Sequence, residues 1–157
     1  MTGPVPITPA HLAAVAKLEQ LCFADPWSEN ALQLLCRPNG YGVVCPKSEE
    51  SEDVLAYAGM TYALDEGSVT NVAVHPDHRR QGLGRAVVCA LAEHARLMGI
   101  RRIYLEVRIS NEPAIVLYRS LGFDKTGVRP NFYRHPTEHA LLMCLELGES
   151  TEYEKDA

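Results

Sequence analysis

The stretch Asn71-Val-Ala-Val-His-Pro-Asp-His-Arg-Arg-Gln-Gly-Leu-Gly-Arg85 decides how the chain is read. Val72, Ala73 and Val74 close an apolar run from Ser68 that reads as a strand, and a helical pattern opens at Leu83. Between them lies Arg79-Arg80-Gln81-Gly82-Leu83-Gly84-Arg85, a loop leading into a helix start. The N–H groups of a helix's first turn have no carbonyl within the helix, and its dipole favours an anion, so such a junction suits a phosphate. Glycine at 82 and 84 lets backbone approach a ligand without an intervening Cβ. From His75 to Arg85 there are three arginines and one aspartate, a local charge of +2 in a chain whose net charge is −5. The spacing lacks G-K-[ST], which excludes a P-loop, and lacks the third glycine of a dinucleotide-binding turn. Glycines placed only for close helix packing remain the alternative at this point.

Upstream, Pro9 to Cys22 carries apolar residues at Leu12, Val15, Ala16, Leu18 and Leu21, a helical stripe. Pro26-Trp27-Ser28 interrupts it, and Ser28 is placed to cap a second helix through Leu32 and Leu35. Tyr41 to Cys45, Val54 to Leu64 and Ser68 to Val74 read as three strands in hairpin succession. Downstream, Leu83, Val87, Val88, Leu91, Ala92 and Ala95 repeat at helical period and Gly99 supplies a C-terminal cap. A strand follows over Arg102 to Arg108. Next comes a helix capped by Asn111, with Pro113 in its first turn and a stripe of Ala114, Leu117, Tyr118 and Leu121. Two further strands run from about Phe123 to Val128 and from Ala140 to Leu147. Antiparallel strands followed by strand–helix–strand–helix–strand predict an α/β (α+β) fold with a mixed sheet and helices on its faces.

Composition bounds the rest. At 157 residues and 46% hydrophobic content, the chain fits one domain, expected over 1–147. Glu146 to Ala157 holds five acids and one base, which gives −4 and leaves −1 for the remainder; 148–157 reads as an acidic, solvated tail. No basic stripe suggests nucleic acid, and no apolar run suggests a membrane span or a secretory signal, so a cytoplasmic protein is expected. The five cysteines are scattered without C-x-x-C, and each reads as a small hydrophobe in or beside an apolar stretch. His75, His78, His135 and His139 lack the spacing of a zinc site, so no metal is expected.

The stretch from Asn71 to Arg85 resembles the acetyl-CoA signature of the GNAT acetyltransferases, with Arg79-x-x-Gly82-x-Gly84 as its core. The segment from Leu105 to Phe123 is similar to the family region in which a strand opens and a short helix presents a tyrosine. Pro26-Trp27-Ser28-Glu29 and Asn131-Phe132-Tyr133 resemble motifs of the RimI-type ribosomal-protein-alanine N-acetyltransferases. The likeness runs from about residue 8 to 147 and is strongest from 71 to 123.

The resemblance implies a mixed, mostly antiparallel sheet of about seven strands with helices on both faces. It implies acetyl-CoA as co-substrate, held by Val72, Ala73, Val74, Arg79, Arg80, Gln81, Gly82, Leu83, Gly84, Arg85 and Asn111. The acceptor it implies is a protein N-terminal α-amino group, typically alanine of a small-subunit ribosomal protein, with Trp27 and Tyr133 on the acceptor side. Neither nucleic acid nor membrane is an implied partner, and a monomer or weak homodimer is expected.

Chemistry names the remaining roles. An α-amino group of pKa ~8 must lose a proton before attack. Glu106, mid-strand among apolar neighbours that argue for a covered sheet, matches the family's proton acceptor; the alternative is an ion pair with Arg108 or Arg102 on a solvated face. Tyr118 matches the family's proton donor, with a core tyrosine as its alternative, and Asn111 has both a capping and a coenzyme A role. Phe132 stands where tyrosine is common, His139 where aspartate is usual, and the Lys47–Asp53 loop is acidic. These departures leave open a lysine or small-molecule amine as acceptor, and a non-catalytic coenzyme A-binding module as the rival class.

Overall fold

A computed structural model of the protein describes residues 3–148, and the acidic tail lies outside the described residues apart from Gly148. Strands β1 (Val5–Pro6), β2 (Gly40–Pro46), β3 (Val54–Ala63), β4 (Glu66–Val74), β5 (Arg102–Arg108), β6 (Asp124–Tyr133) and β7 (Glu138–Glu146) form one mixed sheet. Its order is β1-β2-β3-β4-β5-β7-β6. The β4–β5 ladder is parallel and covers Glu66↔Arg102, Gly67↔Ile103 and Ser68↔Tyr104. Those of β1–β2, β2–β3, β5–β7 and β6–β7 are antiparallel. Helices α1 (Leu12–Cys22), α2 (Glu29–Leu32), α3 (Leu83–Leu97) and α4 (Glu112–Ser120) complete the α/β arrangement that the alternation of elements predicts.

Local chemistry fixes the element ends. Ala31 N–H donates to the Ser28 hydroxyl at 3.1 Å, capping α2, and Ala114 N–H donates to Asn111 Oδ1 at 3.3 Å, capping α4. Gly99 adopts φ +85°, the left-handed turn expected just past α3. Strand β6 runs to Tyr133, well beyond the expected end near Val128. It sits at the end of the sheet with most residues exposed, and its register shifts between Lys125 and Gly127 and between Arg129 and Tyr133. Pro130 lies inside it, which an end strand tolerates because one side has no ladder to break. The two-residue β1 has no sequence signal of its own.

The chain divides into two compact units, one of residues up to Thr61 with Thr70–Leu91, the other of Tyr62–Val69 with Ala92 onward. In the first, Ile7, Leu12, Val15, Leu18, Leu32, Leu35, Val44, Val54, Tyr57 and Ala73 form a buried apolar cluster. The α1 stripe differs from expectation: Leu21 is 57% exposed, while Glu19 is fully buried. In the second, Ile103, Leu105 and Val107 of β5 face inward with Ile115, Tyr118, Phe123, Leu141 and Met143. Cys45 and Cys144 are buried, but Cys36 and Cys89 are exposed, so the small-hydrophobe reading holds for only part of the cysteine set.

Candidate active site

In the first unit, β4 ends at Val74 and a short 3-10 turn at Pro76–His78 leads to the glycine loop. His75 Nδ1 accepts a hydrogen bond from Asp77 N–H at 3.1 Å and its ring meets that of His78 edge-on. Arg80 and Gly82 both have positive φ, +61° and +81°. At Gly82 a Cβ would meet no protein atom within 4 Å, so the glycine serves backbone conformation and leaves open space beside it. Arg80, Gln81, Gly82 and Arg85 are exposed, Gly84 is half-buried, and Leu83 is buried as the first residue of α3. A backbone that turns twice through the left-handed region, a +2 charge and a helix start suit a phosphate-bearing ligand.

Arg79 takes a different part from its neighbours. Its Nε donates to the Val74 carbonyl at 3.3 Å and its Nη2 lies 3.7 Å from Cys22 Sγ, whose thiol donates to the same carbonyl at 3.3 Å. The guanidinium therefore braces the end of β4 as well as charging the loop. Burial pushes the Cys22 thiol pKa up, against the opposing effect of Arg79. The thiol stays protonated and able to donate.

The second unit holds Glu106, Tyr118, Tyr133 and Asn111. Glu106 alternates with buried Leu105 and Val107 and points to the open side of β5, with 34% of its side chain exposed. The covered setting expected for it is therefore absent. The partners proposed for it on a solvated face are also engaged elsewhere: Arg102 bonds Glu146 at 2.8 Å, and Arg108 bonds Glu138 at 3.2 Å. Glu106 instead faces Arg129 at 3.8 Å, a loose, exposed pair that leaves its oxygens accessible.

Tyr118 is 7% exposed, its ring 5.6 Å from that of Phe123. Burial first, then the neighbouring Tyr133, pushes its pKa far above the ordinary phenol value. Tyr133 is pushed up to about 12 by burial and then by the charge of Glu106. Glu106, Tyr133 and Tyr118 thus form an electrostatically linked series within one unit. Asn111 caps α4, the local one of its two expected roles.

Two groups escaped the sequence reading. Arg108 donates to the carbonyls of Arg134 (2.8 Å) and Pro136 (2.9 Å) and lies 4.6 Å over the Tyr133 ring. Glu138 accepts from Ser110 N–H at 2.7 Å, and hydrogen bonding from Ser110, its side chain first and its N–H second, lowers the Glu138 pKa more than Arg108 does. Together they pin the β6–β7 turn beside Tyr133. The second group is Glu19, which accepts from Trp27 N–H at 2.9 Å, from Asn71 Nδ2 at 2.9 and 3.2 Å, and from the Tyr57 hydroxyl. Its signal was present: Leu12, Val15 and Glu19 fall at i, i+3 and i+7 on one helix face, where a carboxylate is out of place unless partnered. His139, where aspartate was expected, accepts from Asn131 N–H through Nδ1 at 3.0 Å and so performs the acceptor task open to a carboxylate there.

The strand–loop–helix junction of the first unit suits a phosphate-bearing cofactor, and the second unit holds a strand carboxylate and a helix phenol. Comparison with known proteins agrees. The profile of the acetyltransferase (GNAT) family matches residues 12–123. The ribosomal protein bS18-alanine N-acetyltransferase of Escherichia coli (strain K12) is 37% identical over 141 residues, covering 87% of this chain and 92% of that protein. A putative enzyme of the same description from Bacillus subtilis (strain 168) is 32% identical over 137 residues, covering 86% and 89%. The crystal structure of the Escherichia coli ribosomal-protein-S18-alanine N-acetyltransferase superposes with a TM-score of 0.87 at 33% identity, covering 95% of this chain and 96% of that one. The chain belongs to the GNAT acetyltransferase family, whose members are acetyl-CoA-dependent acyltransferases.

Proposed function

We propose that this protein transfers an acetyl group from acetyl-CoA to the α-amino group of the N-terminal alanine of ribosomal protein bS18, in the cytoplasm. The observation that carries this reading is the 37% identity to the Escherichia coli alanine N-acetyltransferase across nearly the whole of that protein. The presence of both Glu106 and Tyr118 supports a catalytic protein over a coenzyme A-binding module.

In this reading the glycine loop, Arg79 to Arg85, and the start of α3 hold the coenzyme's phosphates, with Asn111 as a further contact. Backbone N–H groups of Val72, Ala73 and Val74 donate to the thioester oxygen; these residues lie past the last β4–β5 ladder pair at Ser68. Glu106 takes the proton of the ammonium, directly or through one water, and the free amine attacks the carbonyl carbon. As the carbon–sulfur bond breaks, the family resemblance assigns the Tyr118 O–H as donor to the departing thiolate. Its raised pKa against ~8.5 for a thiol makes full transfer uphill. Tyr118 therefore works chiefly as a hydrogen-bond donor to sulfur, while the proton that the attacking nitrogen sheds on becoming an amide passes through solvent to the thiolate. The same resemblance assigns acceptor binding to Trp27 and Tyr133.

The test is acetyl-CoA-dependent thiol release with a bS18 N-terminal peptide, the product's acetylated nitrogen being located by mass spectrometry. Transfer to a lysine or a small amine alone would replace the acceptor assignment. Coenzyme A binding without thiol release on any amine would replace the enzyme by a binding module.

A further inference from the structure

Glu19 is 0% exposed, and among the described residues no cation pairs with it. A buried carboxylate of this kind is a poor device for bulk stability, because an apolar side chain of similar size avoids the loss of hydration. What it offers instead is geometry. A carboxylate offers about four lone-pair positions, and here donors from three directions occupy them. Trp27 N–H binds Oε1 at 2.9 Å, Asn71 Nδ2 spans Oε1 and Oε2 at 3.2 and 2.9 Å, and the Tyr57 hydroxyl binds Oε2. Glutamine in the same place would turn one acceptor into a donor facing Asn71 and Tyr57.

The donors sit on elements of different roles within one unit. Trp27 lies in the link between α1 and α2, half-buried against the apolar cluster that contains Tyr57. Asn71 is the β4 residue immediately before Val72, Ala73 and Val74. One carboxylate therefore ties the Trp27 segment to the strand that carries the cofactor-facing backbone. We propose that Glu19 is a positioning residue that sets where Trp27 stands relative to β4 for the acceptor peptide, an inference that rests on the acceptor-side role given to Trp27 above.

Trp27 is the sole tryptophan, so its fluorescence reports on this tether independently of catalysis. The experiment compares the full-length wild type, Glu19→Gln and Tyr57→Phe at a temperature well below their melting midpoints. For Glu19→Gln, KM for the bS18 peptide is expected to rise about tenfold while kcat and the coenzyme A Kd stay within about twofold. Acrylamide quenching of Trp27 rises about twofold as its backbone tether loosens. Tyr57→Phe leaves the carboxylate in place but removes one of the two donors to Oε2, and gives an intermediate KM rise of about threefold.

Unchanged quenching and unchanged peptide KM in Glu19→Gln overturn the proposal. So does a loss of kcat that merely tracks the unfolded fraction at constant KM. If Glu19→Gln does not fold, Tyr57→Phe decides on the same two readouts. If the wild type fails to acetylate the peptide, the acceptor assignment falls, while the quenching comparison still decides whether Glu19 holds Trp27.

Discussion

Among the described residues two tyrosines, Tyr57 and Tyr118, are buried, and removing the hydroxyl of each should have opposite consequences. Tyr57 is 0% exposed and donates to the Glu19 carboxylate; burial, reinforced by that charge, raises its pKa well above the phenol range. A hydrogen bond to a charged group contributes about 1.5–3 kcal/mol, so Tyr57→Phe should destabilise by that amount. For a chain of this size each kcal/mol lowers Tm by about 2–4 °C. Its kcat should remain within about twofold of wild type, because the hydroxyl takes no part in the reaction proposed here. Tyr118 differs: its raised pKa comes from burial and Tyr133 with no hydrogen-bond contribution, and its ring keeps the Phe123 contact in a phenylalanine variant. Tyr118→Phe should change stability by no more than about 0.5 kcal/mol. Its kcat should fall about a hundredfold, the loss expected when one hydrogen-bond donor to a developing negative charge is removed. Urea unfolding with a fixed m-value and single-turnover kinetics on both variants make the comparison. A Tyr118→Phe enzyme of normal rate, or one that loses stability while Tyr57→Phe does not, would refute the division of roles.

Glu106→Gln should lower turnover about a hundredfold at neutral pH and recover as pH rises through ~8, where the acceptor amine loses its own proton; unchanged turnover across pH would remove Glu106 as base. Gly82→Ala meets no steric obstacle but must hold φ +81°, a strain of about 1–2 kcal/mol, and its Cβ enters the space assigned to the coenzyme. It should weaken coenzyme A binding about tenfold, whereas Gly99→Ala, with φ +85° and equally open surroundings, should lose stability alone; equal coenzyme affinity in both would refute the loop assignment. Tyr118 and Tyr133 bind their protons more tightly folded than unfolded, so their stabilisation is complete below the unfolded pKa of about 10 and is lost as pH rises toward 12 and beyond. Alkaline denaturation should therefore be steeper in wild type than in Tyr133→Phe, and identical curves would contradict the burial of Tyr133.

Much of the architecture was written locally. Ser28, Asn111 with Pro113, and Gly99 announced helix ends because capping depends on one or two residues and their own backbone. The α3 stripe from Leu83 to Ala95 and the β5 alternation of Ile103, Leu105 and Val107 announced buried faces because one side of each element is apolar. The site divided along the same line. The left-handed turns of the glycine loop were legible from composition, while the roles proposed for Glu106 and Tyr118 rest on a family resemblance, because pattern alone also suits a surface ion pair and a core ring. Strand β6 was cut short because an exposed end strand carries neither alternation nor a ban on proline. Arg108 and Glu19 were missed because their meaning lies in contacts 26 to 52 residues away along the chain, such as those to Arg134 and Asn71.

The sheet ends have a consequence for handling the protein in concentrated solution. An open strand edge presents a row of unused amide groups that a neighbouring molecule can zip onto, the first step toward fibres. Here one end is β1, two residues long and half proline, and the other is β6, twice broken in register and carrying Pro130 with the charges of Lys125 and Arg129. Neither border offers a long, flat template. The same irregularity that hid β6 from the sequence reading makes it a poor partner for another copy's backbone.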